Sequence, residues 1–123
     1  MIVETKRGRF NVHVAADETT IAFTSKTITG REELDAAFAK VRALGYAESI
    51  QQYNMAQSGV AAPVFDARGA VRYVVCSLAF SSELDENNMA AAGDAIRQCA
   101  EAITLRTGGV LPAGYPFPAA ANY

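Results

Sequence analysis

The feature that most constrains this chain is a β-hairpin signal between Gly59 and Phe80. Residues 59–65 and 70–80 are two runs rich in Val, Phe, Tyr and Cys, joined by Asp66-Ala67-Arg68-Gly69. Aspartate opens such a turn by accepting bonds from backbone amides, and glycine at its end takes the positive φ of a bulged hairpin turn. Along the second run, Arg72, Val74, Cys76, Leu78 and Phe80 alternate with Val71, Tyr73, Val75, Ser77 and Ala79. Both sets are largely apolar, which predicts a strand covered on both faces.

With 123 residues, the chain is long enough to be one domain, 1–123, that buries a core without disulfides or metal. A formal charge of -2 supplies no field that would attract nucleic acid or an acidic membrane. No apolar run is long enough to span a bilayer and no signal peptide opens the sequence, so the expected place is the cytoplasm. Cys76 and Cys99 have no CxxC spacing, and His13 is the one histidine, which argues against a zinc site. No cofactor is expected.

Around the hairpin the chain reads as supporting elements. Residues 2–5 and 10–15 are short strand-like pieces flanking the basic turn Lys6-Arg7-Gly8-Arg9, a solvated tip, and residues 20–23 extend the sheet. His13, between Val12 and Val14, is a partly exposed strand histidine with no catalytic company. Thr29 is placed to cap a helix whose early turn holds Glu32 and Glu33. Leu34, Phe38 and Val41 form its apolar stripe, Glu32, Asp35 and Lys40 face solvent, and Gly45 closes it.

The polar stretch 48–58 is either a connector or one wall of a pocket. After the hairpin, residues 81–88 offer capping groups, and Met89, Ala92, Ile96, Cys99 and Ile103 make the core stripe of a long helix ended by Gly108-Gly109. Residues 110–123 are a proline-rich tail, loosely ordered or laid against a neighbouring surface. Short strands, helix, hairpin and long helix predict an α+β fold, an antiparallel sheet with helices packed on it.

From about residue 23 to 109 the chain resembles the C-terminal, GAF-like effector-binding domain of the IclR family of bacterial transcriptional regulators. Arg42-Ala43-Leu44-Gly45-Tyr46-Ala47 resembles that family's Arg-x-x-Gly-Tyr-Ala helix ending, and Ala61-Ala62-Pro63-Val64-Phe65-Asp66 with Gly69 resembles its Ala-Ala-Pro-Val-x-Asp-x-x-Gly hairpin. Ala100, Ile103 and Gly108 fit its closing helix. The family's winged helix-turn-helix and the first part of its effector domain have no counterpart here, so the resemblance is to a partial domain, truncated at the N-terminus.

The resemblance implies a domain that senses a small-molecule metabolite, without catalysis, as a homo-oligomer. It implies no membrane and no nucleic-acid contact from this chain, DNA being reached only through a missing N-terminal domain. Carried over residue by residue, the ligand-binding positions are Ser49, Gly59, Cys76 and Leu78, and Gln52 stands where a glutamate is usual. Such a set suits an apolar or aromatic effector better than a small carboxylate. Two other readings stay open: a thiol-based enzyme or redox sensor using Cys76, whose strand position suggests an inert buried thiol, and a structural dimerisation module.

Overall fold

In the computed structural model, residues 22–117 are described in full, together with the backbone of two short strands, β1 (Val3–Lys6) and β2 (Arg9–Val12). These two pair antiparallel, Val3 opposite Val12 and Lys6 opposite Arg9, and β2 lies beside β5 (Val71–Phe80). His13, residues 20 and 21 and the last six of the tail lie outside the described residues.

The centre is a three-stranded antiparallel sheet in the order β3 (Ala47–Ile50), β4 (Gln57–Phe65), β5. The hairpin is where its sequence put it. Gly69 takes φ +74°, and Asp66 Oδ1 accepts the amide protons of Arg68 at 2.8 Å and Ala70 at 3.1 Å. A register shift between Val64 and Phe65 lets the turn close.

Those two amides, Ala70's first, hold the Asp66 carboxyl below its ordinary value of 3.8. A depressed folded-state pKa means stability that is present above the unfolded value and lost as the pH falls through the folded one. Asp66→Asn is therefore expected to be less stable than the parent at pH 7, with the gap closing below about pH 4. Urea midpoints at neutral and acid pH read this directly, and a gap that persisted in acid would assign the loss to turn geometry alone.

The sheet is backed by α2 (Met89–Arg106), which crosses β4. Between them lie Tyr46, Val60, Ala62, Val64, Leu84, Met89 and Ala100, the buried core, with Ile96, Val75 and Ala79 at its margin. The helix meets the sheet through Met89, Gly93, Ala100 and Thr104. This corrects the predicted stripe: Met89 is buried and Ile96 packs on the core, but Cys99 is exposed and Ile103 is 36% exposed. Small residues win the inward positions because the backbone runs too close to the sheet for larger ones; a Cβ on Gly93 would overlap the Tyr46 ring.

Helix α1 (Arg31–Leu44) packs on β3 and has no fully buried residue. Its N-cap is Gly30, not Thr29, and no side chain caps it; Glu32 and Glu33 sit in the first turn as predicted. Gly45 closes it at φ +77°, donating its amide proton to the Val41 carbonyl. The described part of the tail, residues 110–117, is laid against its own chain. Val110 N–H donates to Asp66 O, Phe117 N–H donates to Arg42 O, and the Tyr115 hydroxyl donates to Gly45 O at 2.8 Å. Burial, and then the nearby Glu101 carboxylate, push the Tyr115 hydroxyl up to about 12. Its ring meets Phe65 edge-on at 5.0 Å.

Candidate functional site

Each β-strand presents alternate residues to opposite faces. Ser58, Val60, Ala62 and Val64 of β4 turn toward α2, so Gly59, Ala61 and Pro63 turn away. Cross-strand partners share a face, and the register puts Ser49 opposite Gly59 and Gly59 opposite Leu78. Three of the four predicted positions thus form one row across all three strands. Cys76 lies in the next row on the same face, opposite Ala61, which is opposite Ala47.

Gly59 is buried because Leu78 lies over it: a Cβ there would come within 2.7 Å of Leu78 Cδ2. The isobutyl group is itself 73% exposed, Phe80 is 64% exposed, and the Cys76 thiol is open to solvent. The expected covering of both faces of β5 therefore fails on this side, as does the expectation of a buried thiol. Periodicity sees only that both faces are apolar; it does not see that α2 lies over β4 and reaches β5 only at Val75 and Ala79, leaving Tyr73 and Ser77 of the same face exposed.

The polar stretch after Gly45 is both a strand and a wall. Ala47–Ile50 is edge strand β3, and residues beyond it turn back to β4, with Gln51 N–H donating to Gln57 O. Thr24 and Thr27 fasten this turn by donating hydroxyl protons to the Gln51 and Gln52 carbonyls. The Phe23 ring meets that of Tyr53 at a tilt, 5.0 Å between centroids, both substantially exposed, and Ser81 ties the loop to the end of β5 through the Met55 carbonyl.

Between α1 and β3 lies a cavity of about 330 Å³. Its apolar wall is the half-buried stripe Leu34, Ala37, Phe38 and Val41 with Leu44 and Tyr46; its polar groups are Glu33, Lys40, Glu48, Ser49 and Gln52. Lys40 is ion-paired with Glu48 across the cleft rather than simply solvated. Burial, and then the Glu48 charge, push the Tyr46 hydroxyl up from its ordinary value. Of the four predicted positions only Ser49 lines this cavity. Sequence reasoning missed Lys40 and Glu33, whereas Glu48 opens the polar run that it read as a connector or a pocket wall.

No group of three or more metal-ligating side chains occurs among the described residues, and no described helix is long and apolar enough to cross a membrane.

An antiparallel sheet backed by a C-terminal helix, with an apolar face turned away from it, defines an α+β domain. Residues 11–105 match the family described as bacterial transcriptional regulator IclR, C-terminal, and the chain belongs to that family. No curated protein sequence matches it.

Among solved structures, the fold is similar to the Agobacterium tumefaciens repressor BlcR, at 24% identity and TM-score 0.70 over 76% of this chain and 38% of that one. An IclR-type regulator from a Silicibacter species is similar at 28% identity and TM-score 0.69, covering 79% of this chain and 38% of that one. The C-terminal domain of the Escherichia coli transcriptional regulator KdgR is similar at 25% identity and TM-score 0.62, covering 72% of this chain and 54% of that one. The chain therefore spans well under two thirds of the length of these relatives.

Proposed function

We propose that this chain senses a small-molecule effector for an IclR-type transcription regulator and is not an enzyme. The ligand lies on the sheet face that carries Ser49, Gly59, Cys76 and Leu78. The observation that carries this reading is the cross-strand row Ser49–Gly59–Leu78 with Cys76 beside it, four positions separated in sequence and gathered on the sheet face turned away from α2, with Cys76 and Leu78 exposed. One hydroxyl, one thiol and an isobutyl group offer little to fix a carboxylate, so the effector is an apolar or aromatic metabolite with few polar groups. Its binding shifts the arrangement of subunits in a cytoplasmic homo-oligomer, and DNA is contacted by a different segment of the regulator.

The test is a thermal-shift screen of neutral aromatic metabolites against small carboxylates, on the parent and on Leu78→Arg. A ligand at a hundredfold excess over its Kd stabilises by about 2.7 kcal/mol. The side chain at 78 is largely exposed, so the substitution leaves the fold intact while placing a guanidinium on the binding face. We expect an aromatic compound to stabilise the parent and not the variant. No stabilising compound at millimolar concentration, or an equal response from Leu78→Arg, would remove the reading. Exposed Leu78 and Phe80 also favour a second reading, a contact between copies; loss of dimer mass in Leu78→Arg without any ligand response would select it.

A further inference from the structure

We propose that the cavity between α1 and β3 is a second ligand site, separate from the sheet face, and that it takes a small molecule with a short apolar or aromatic body and one cationic amine. The cavity falls within the range of small-molecule sites, at about 330 Å³. It exists because α1 lies against the edge strand without sealing it: Leu34, Phe38 and Val41 are half-buried, and the helix has no fully buried residue. Those side chains supply the apolar wall that a ring or short alkyl chain would fill.

The polar lining decides the charge of the occupant. Glu33 and Glu48 set two carboxylates against one ammonium, Lys40. That ammonium is already held by Glu48. An anionic ligand would find no uncommitted cation there, whereas a cationic one would find Glu33, which has no ion-pair partner among the described residues. Ser49 and Gln52 add neutral acceptors for the remaining ammonium protons. Gly59, Cys76 and Leu78 do not line the cavity, so the two sites have separate chemistries and share Ser49 alone.

The test is an amide chemical-shift titration of the full chain with 2-phenylethylammonium, with 3-phenylpropionate and 2-phenylethanol as matched anionic and neutral probes. We expect saturable binding of the ammonium probe, shifts concentrated between Leu34 and Gln52, and affinity at least about tenfold above either control, the scale of one charge-assisted hydrogen bond. Glu33→Gln, at an exposed position, should weaken the ammonium probe by a similar factor. Ala37→Trp should abolish its binding by filling the cavity. Leu78→Arg should leave it unchanged, which separates failure of this site from failure of the sheet-face reading. Absence of saturation, equal or tighter binding of the anion or alcohol, shifts centred on Cys76 and Leu78, or indifference to Glu33→Gln and Ala37→Trp would each overturn the proposal.

Discussion

Replacing Gly93 by alanine is expected to destabilise the protein by about 3 kcal/mol, opposite in sign to the same change on an open helix face. In an exposed helix interior, alanine is favoured over glycine by about 1 kcal/mol. Here the added methyl would stand within 2.6 Å of Tyr46 Cδ2 and closer still to Cε2 and Cζ. Tyr46 cannot yield cheaply. It is 5% exposed, follows directly on the αL cap at Gly45, and precedes the first residue of β3. Relief requires moving the ring out of the core or lifting α2 from β4, and either opens apolar surface. Urea denaturation gives the magnitude, and the background Tyr46→Ala gives the cause. Without the ring, Gly93→Ala should become stabilising by a fraction of the helix-propensity gain, a reversal that only a direct steric coupling produces. A parent stabilised by Gly93→Ala would mean that the two elements are not in close contact.

The same close approach explains how much of the fold was legible. The hairpin was readable to within two residues because turn chemistry at Asp66 and Gly69 is local. The long helix was readable, but its inward face was not. Ranking side chains by hydrophobicity favours Cys99 and Ile103, whereas separation from the sheet favours Gly93, Ala100 and Thr104, and separation is a property of the packed pair. Thr29 has the better capping side chain, yet the helix starts after Gly30, whose carbonyl accepts the Leu34 amide proton. Strand β3 was hidden because an edge strand with partly exposed residues need not alternate; Glu48 and Ser49 read as loop.

The candidate site was legible in a different way. Ser49, Gly59, Cys76 and Leu78 came from motif positions, and only the register shows that they form adjoining rows on one face. Of the cavity under α1, only the polar wall beginning at Glu48 left a mark in the sequence. Its Lys40–Glu48 pair joins a helix to a strand across the Gly45 cap, a separation that no helical or strand period connects. Glu33, also counted as an ordinary first-turn acid, gains meaning only from the cleft beside it.

Thr104→Val, nearly isosteric, is expected to cost about 2 kcal/mol, more than Thr104→Ser, which removes a methyl group. Thr104 is fully buried in α2, and its hydroxyl donates to the Ala100 carbonyl at 2.9 Å while accepting the Phe65 amide proton at 3.0 Å. Donation to the carbonyl four residues back is common and contributes little, because that carbonyl has the helix itself as partner. The Phe65 amide has no such reserve: it falls at the register shift in the β4–β5 ladder, with the Gly109 amide bonded to Thr104 O and the Val110 amide to Asp66 O around it. Valine keeps the shape and removes the acceptor, leaving a buried N–H that water cannot reach. Serine keeps the acceptor and loses one methyl, worth about 1 kcal/mol. Chemical denaturation should therefore rank parent, serine, valine in falling stability, with hydrogen exchange at Phe65 accelerated in the valine variant before global unfolding. The reverse ranking would show that the methyl, not the hydroxyl, joins the hairpin to the end of α2.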